Sequence, residues 1–313
     1  MPAEDLVIHR SDAPRREFLK GLALLLPSGL SAQTGVAQGV ATRPIPSTGE
    51  ALPVVGLGSW ITFNVGDDAV ARTACAQVMR AFFDAGGKMI DSSPMYGSAQ
   101  PVIGAGLARI GAAPKVFAAD KVWTGSGPGG PGQIEASRRH WNVARFDLLQ
   151  VHNLLASEAH LATLFEMKAA GRLRYVGVTT SHGRRHADLE AIMRSAPIDF
   201  VQLTYNLFDR EVEERLLPLA RERGIAVIAN RPFQQGALLR TLQRHPLPPW
   251  AAEIDCDGWA QFALKFIVSH PSVTCAIPAT RSVAHVRQNL GAGLGRMPDA
   301  TLRRRMAAHV QAL

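Results

Sequence analysis

From Val54 onward, short apolar runs rich in β-branched residues alternate with longer segments whose apolar positions recur at helical spacing. The runs predict strands at Val54–Trp60, Lys88–Ser92, Val116–Val122, Phe146–His152, Arg174–Thr179, Phe200–Tyr205, Ala226–Asn230 and Thr274–Pro278. The periodic segments predict helices near 68–86, 98–109, 132–143, 158–171, 183–194, 211–223, 257–270 and 282–291. The strands are apolar on both faces, as suits a parallel sheet buried under helices. Eight strand-then-helix units in roughly 240 residues predict one α/β domain, a closed (β/α)8 TIM barrel rather than a doubly wound sheet. Ahead of the first strand, Arg43–Pro53 carries Pro44, Pro46, Gly49 and Pro53, which suits an N-terminal β-hairpin plugging the barrel floor. Behind the last barrel helix, Asp299–Leu313 reads as a short amphipathic C-terminal helix. The connection Arg231–Ser269 is the longest and leaves Leu239–Asp257 as an extended loop.

Residues 1–41 stand outside this pattern. Pro14-Arg15-Arg16-Glu17-Phe18-Leu19-Lys20, followed by the apolar Gly21–Pro27, resembles a twin-arginine (Tat) export signal, although Pro14 stands where Ser or Thr is usual. Gly35-Val36-Ala37 supplies small residues for cleavage near position 37. The division is thus 1–41 as signal peptide and linker and 42–313 as the barrel. The resemblance implies the Tat export machinery as a partner and a periplasmic location. The alternative is a basic helix that stays on the protein. Cys75 is the first cysteine, which leaves no lipid attachment point in the segment, and no apolar run reaches the ~18–20 residues of a membrane span. Membrane anchoring is therefore not expected.

Composition narrows the class. With 47% apolar residues in 313, the chain is not disordered. Thirty-four Lys+Arg against 26 Asp+Glu give +8, which invites a nucleic-acid reading. Through Ala37, Arg10, Arg15, Arg16 and Lys20 cancel Glu4, Asp5, Asp12 and Glu17, so the excess belongs to the barrel. It gathers late, with Arg281, Arg287, Arg296, Arg303, Arg304 and Arg305 against Asp299 alone. That stretch has no aromatic side chain for stacking bases, so nucleic acid is not expected. It reads instead as a solvated helix surface, or as a local field drawing in a smaller anion. Cys75, Cys256 and Cys275 are widely spaced and read as buried small hydrophobes. A monomer is expected.

In a parallel barrel, chemistry collects where strands end at their C-terminal side. Those ends carry Asp91, Lys121 and His152, with Tyr96 five residues beyond Asp91. Singly, each has an ordinary explanation, such as a helix cap or a packed ring. A buried lysine, however, is costly unless it is paired. Two other features are weaker. Gly125-Ser126-Gly127-Pro128-Gly129-Gly130 has G-x-G-x-x-G spacing, with Asp147 about twenty residues on. It follows the third strand rather than the first, and Pro128 and Pro131 remove donors from it, so it reads as a flexible loop near the mouth. His182 and His186 are four apart, but Arg184 and Arg185 lie between them and no third ligand is near, so no metal is assigned.

Asp91-Ser92-Ser93-Pro94-Met95-Tyr96-Gly97, Asp120-Lys121-Val122 and Leu148-Leu149-Gln150-Val151-His152 resemble the tetrad motifs of the aldo-keto reductases. Gly56-Leu57-Gly58-Ser59-Trp60 resembles that family's first strand, and Ile277-Pro278-Ala279-Thr280-Arg281 its last. The resemblance implies hydride transfer from a nicotinamide to a small carbonyl substrate, with NADPH favoured and NADH the alternative. Tyr96 would be the general acid, its pKa lowered by Lys121, with Asp91 pairing Lys121, His152 orienting the carbonyl and Trp60 walling the substrate pocket. Gln202, Thr179 and Thr180 fall where relatives hold the nicotinamide carboxamide, Thr180 replacing the usual Asn. Asn230 replaces the aromatic residue that stacks on the ring, and Arg231 beside it is a candidate for the pyrophosphate. Thr280, Arg281, His285, Gln288 and Asn289 fall at the adenosine end, with Arg281 the stronger candidate for a 2′-phosphate. The departures at Thr180 and Asn230 leave a second reading, a catalytically weak nicotinamide-binding or regulatory barrel of the same fold.

Overall fold

The computed structural model describes residues 39–313, so the expected export segment and cleavage site lie outside the described residues. A hairpin of β1 (Thr42–Pro44) and β2 (Ala51–Pro53) pairs antiparallel, Thr42 opposite Pro53 and Pro44 opposite Ala51. The barrel strands follow as β3 (Leu57–Gly58), β4 (Met89–Asp91), β5 (Phe117–Val122) and β6 (Leu148–Val151). Then come β7 (Tyr175–Thr179), β8 (Phe200–Thr204), β9 (Ala226–Asn230) and β10 (Cys275–Ala276). Each pairs in parallel with the next in sequence. The ring closes through parallel bridges Val55 to Ala276 and Gly58 to Ala279. Closure is tight: a Cβ on Gly58 would lie 2.8 Å from the Ile277 carbonyl oxygen, so the approach requires glycine.

Around the ring run α1 (Ala69–Asp84), α2 (Ala99–Ile110), α3 (Gly130–Trp141), α4 (Ser157–Ala169) and α5 (His186–Ser195). These are followed by α6 (Leu216–Arg223), α7 (Ala237–Leu242), α8 (Trp259–Val268) and α9 (Val283–Gly291), with α10 (Ala300–Gln311) closing the chain. The extended loop expected over Leu239–Asp257 is not one. It holds most of α7 and a 3-10 segment, Pro249–Ile254. Leu238 and Leu242, four apart, bury on one helical face, and Pro249 stands in the first turn, where its missing N–H costs nothing.

The strands sort their side chains by alternation into two cores. Val176, Val178, Val201, Leu203 and Val227 point outward and pack with helix residues such as Phe262 and Leu264. The first residues of β4 to β10, among them Met89, Phe117, Leu148, Tyr175 and Phe200, point inward and form a second cluster with Ile45 and Leu52 of the hairpin. The hairpin is thus the floor, as expected from its prolines. Glu50 ties it to the ring, accepting from the Tyr175 hydroxyl at 2.7 Å and pairing with Arg174. Two residues further along β4, β6 and β8 the inward positions turn polar, at Asp91, Gln150 and Gln202, whereas Ala119, Ile228 and Ile277 stay in the apolar cluster.

The basic C-terminal stretch is only partly a free field. Arg303 donates to the Phe266 carbonyl at 3.1 Å, to Glu213 at 2.9 Å and to the Tyr205 hydroxyl. Arg296 pairs with Asp255 at 3.0 Å, and Arg305 with Glu253 at 3.6 Å. These cations fasten the last helix and its approach to acids on neighbouring elements, which corrects their reading as a rim that attracts an anion. Arg303 is 12% exposed, so its loss strands Tyr205 and Glu213. Arg303→Ala is expected to lower unfolding stability in urea by about 2 kcal/mol, whereas Arg304→Ala, at an exposed position, should change it by less than about 0.5 kcal/mol.

Candidate active site

Alternation along the strands brings the chemistry to one end of the cylinder. On β6, Leu148, Gln150 and then His152 face inward; on β5, Phe117, Ala119 and Lys121; on β8, Phe200, Gln202 and Thr204. The small residues at Ala119 and Gly177 leave room for the long polar chains beside them. Lys121 and Asp91 are 0% and 2% exposed, and their Nζ–Oδ2 distance is 2.6 Å. The ammonium also donates to the Ser92 carbonyl at 2.7 Å. Asp91 Oδ1 accepts from Gln202 at 2.9 Å and from Gln150 at 3.3 Å. One carboxylate therefore takes three side-chain donors, which is what makes a buried charge pair tolerable. Burial pulls the Lys121 pKa down, but Asp91 and Tyr96 outweigh it and hold the ammonium above the ordinary lysine value.

Tyr96 follows the loop out of β4, and its ring centroid lies 5.2 Å from Lys121 Nζ. Gly97 beside it takes φ +61°, in the left-handed region where glycine is unstrained, and lets Ser98 start α2. The expected lowering of the Tyr96 pKa is corrected. Burial of the phenol raises it, and the lowering by Lys121 is the smaller effect, partly offset by Asp91. The phenol thus stays protonated through neutral pH. His152 stands edge-on to Tyr96, with centroids 5.8 Å apart at 85°, and its Nδ1 is 2.8 Å from Ser93 Oγ. Burial, aided by Lys121, drives its pKa down to about 3, so the imidazole is neutral. The Trp60 and Tyr96 ring centroids are 6.4 Å apart, the rings tilted at 44°.

A cleft of about 720 Å³ runs from Trp60, Tyr96 and His152 past Thr179, Thr180, Gln202, Asn230 and Arg231 to Thr280, His285, Gln288 and Asn289. All the residues singled out from sequence thus lie on or just beneath one surface, with one exception. Arg281 is exposed beside Ser282, outside the cleft lining. Ser282 caps α9, its Oγ accepting from the His285 N–H at 3.3 Å, so one free donor of that helix terminus is already taken. Asn230 is held by Thr204 Oγ1 at 2.7 Å and by the Thr180 carbonyl at 2.8 Å, so it forms a fixed polar floor where an aromatic ring was missed. Gln202 spends its Nε2 on Asp91, and its Oε1 accepts a long hydrogen bond from Asn230 Nδ2 at 3.5 Å. Arg231 takes φ +52°, lines the cleft, and leaves Nη1 buried with no hydrogen-bond partner.

Two polar residues escaped the sequence reading. Gln150 and Ser93 lie inside motifs that pointed to their neighbours, and period-two alternation from His152 back to Gln150 would have found the first. The glycine-rich loop is ruled out by its own hydrogen bonds. Gly129 and Gly130 donate to Ser126 and Gly127, none of the six residues 125–130 lines the cleft, and Asp147 is spent on Arg174 and the Ala118 N–H. Nor is the loop loose: Gln133 bonds both backbone groups of Trp123, and His160 bonds the Thr124 carbonyl.

Comparison with known proteins agrees with this geometry. The chain belongs to the aldo/keto reductase family, which residues 54–304 match. It is 31% identical over 245 residues to the methylglyoxal reductase YeaE of Escherichia coli (strain K12), covering 76% of this chain and 84% of that one. Among solved structures, an aldo/keto reductase from Klebsiella pneumoniae in complex with NADP and acetate is 27% identical, with a TM-score of 0.70 over 84% of this chain and 93% of that one. Another from the same organism, in complex with NADPH, is 25% identical, with a TM-score of 0.72 over 87% and 96%.

Asp120 points outward from β5 between α2 and α3 and is fully buried; its partners are Gln100 at 2.8 Å and the Lys121 N–H at 2.7 Å. Burial pushes its pKa up to about 7. Because the folded value exceeds the unfolded one, its contribution to stability is present in acid and lost as pH rises through about 7. Asp120→Asn is therefore expected to stabilise the protein by at least about 1 kcal/mol more at about pH 8.5 than at about pH 5, read from urea midpoints.

Proposed function

We propose that this chain reduces an aldehyde or ketone to an alcohol with NADPH, using Tyr96 as the proton donor. The observation that carries this reading is the convergence of Asp91, Lys121, Tyr96 and His152 at the catalytic end of a cleft long enough for a dinucleotide. When bound, the reduced nicotinamide supplies a hydride to the carbonyl carbon. The chain supplies the rest. Tyr96 Oη gives its proton to the carbonyl oxygen as negative charge builds there, which completes the alcohol. The oxygen formed by hydride addition is more basic than a phenolate, so a phenol with a raised pKa still protonates it. Lys121 stabilises the phenolate left behind, Asp91 fixes Lys121, and His152 hydrogen-bonds the carbonyl oxygen. Trp60 and Met95 wall the substrate space with apolar surface.

The residues fit the cofactor. Thr179, Thr180 and Gln202 would hold the carboxamide, Asn230 would lie under the ring, and the orphaned guanidinium of Arg231 would suit the pyrophosphate. Thr280, His285, Gln288 and Asn289 would take the adenosine, and Arg281, exposed at the rim, would pair with a 2′-phosphate. NADPH is expected to bind at least about tenfold tighter than NADH in a fluorescence titration. Arg231→Ala should weaken both, and Arg281→Ala only NADPH; equal binding that ignores Arg281→Ala would remove the phosphate assignment. With a panel of small aldehydes that includes methylglyoxal, Tyr96→Phe should cut turnover by at least about 100-fold while sparing NADPH affinity.

The twin arginines support export, after cofactor loading in the cytoplasm, through the Tat machinery to the periplasm. Cell fractionation tests this. The wild-type chain should be recovered processed in the periplasm with nicotinamide bound, and the Arg15→Lys, Arg16→Lys double variant should stay inside; equal distribution of the two would contradict it.

A further inference from the structure

His152 meets the cleft through a ring whose two nitrogens are not equivalent. Its Nδ1 lies 2.8 Å from Ser93 Oγ, and Nε2 has no hydrogen bond to any described residue, although the ring lines the cleft. Ser93 is 0% exposed and has one other partner, the Met95 N–H, which donates to Oγ at 3.2 Å. Pro94 between them has no N–H, so Met95 is the first backbone donor that can reach back. A serine hydroxyl has one hydrogen and two lone pairs. One lone pair is taken by Met95, and the hydrogen has a single acceptor within reach, Nδ1. If Nδ1 carried the proton, it would occupy the second lone pair and leave the hydroxyl hydrogen unpaired in a dry pocket, an arrangement that folded proteins avoid.

We propose that Ser93 is a positioning residue that fixes His152 as the Nε2–H tautomer, so that the ring offers the cleft a hydrogen-bond donor rather than an acceptor. This rests on the carbonyl-reductase reading, because a donor is what the oxygen of a carbonyl group requires. The opposite tautomer would present a lone pair to that oxygen and repel it. Ser93 does not touch the substrate. It acts through His152, while its carbonyl accepts from the Tyr96 N–H at 3.0 Å and so ties the proton donor to the same turn. One serine thereby sets the relative placement of the two groups that meet the carbonyl oxygen.

The direct test needs no variant. In protein labelled with ¹⁵N-histidine, with His152 assigned by its absence in His152→Asn, Nε2 should show the protonated, pyrrole-type shift and Nδ1 the pyridine-type shift at neutral pH. In Ser93→Ala that separation should collapse towards a mixture, turnover of an aldehyde should fall about tenfold, and NADPH affinity and folding should be unchanged. Ser93→Thr should restore both tautomer and turnover. A protonated Nδ1 in the wild type, or an unchanged tautomer in Ser93→Ala, would overturn the proposal. If the wild type reduces no carbonyl, the function reading fails while the nitrogen shifts still decide the role of Ser93.

Discussion

The interior of this barrel is organised around one buried ion pair, Lys121 with Asp91. Two opposite charges this deep cost several kcal/mol each to desolvate, and their mutual attraction compensates only if the remaining hydrogen-bonding capacity is met. Gln150 and Gln202 meet it on the carboxylate, and the Ser92 carbonyl meets it on the ammonium. The pair then imposes an order on the cylinder. Below it the inward positions are apolar and sealed by the hairpin. Around it Gln150 and Gln202 are long and polar, Ala119 and Gly177 are small, and Ile228 and Ile277 remain apolar. Above it lie the groups that face solvent and ligand. The pair is thus the reason Gln150 and Gln202 stand in the middle layer.

Tyr96 stays protonated beside this pair because burial of the phenol outweighs the pull of the ammonium. A phenol beside an ammonium is drawn towards ionisation, yet this one is also desolvated and shares its surroundings with the Asp91 charge. Those opposing influences leave it protonated at rest, with a cation placed to stabilise the phenolate once the proton has gone. His152 is kept neutral by burial and by the Lys121 charge, so it contributes a hydrogen bond and not a second cation. The rest of the cleft is prepared for an extended anionic ligand chiefly at Arg231, whose guanidinium has a buried nitrogen without a partner. The other excess cations are largely committed to the fold, as Arg303 and Arg296 illustrate.

Much of this was legible in the sequence because barrel geometry is carried by local pattern. Eight apolar runs with helices between them imply closure, and strand ends imply where chemistry gathers, so Asp91, Lys121 and His152 could be placed before any distance was known. What stayed hidden was of two kinds. Some elements are masked locally, as α7 and the 3-10 segment are by Pro246, Pro248 and Pro249. Other properties depend on the sum of the surroundings. The sign of the Tyr96 shift is a balance between burial and two charges, the pairing of Arg303 joins β8, the segment before α6 and the last helix, and the tie between Ser93 and His152 spans 59 residues.

The central claim is that burial holds Tyr96 as a phenol through neutral pH against the pull of the neighbouring Lys121 ammonium. With only three tyrosines in the chain, a phenolate absorbance titration of the wild type minus Tyr96→Phe isolates this group. The account predicts no ionisation of Tyr96 until pH passes the ordinary tyrosine value of about 10. Ionisation near neutrality, with Lys121 intact, would contradict it.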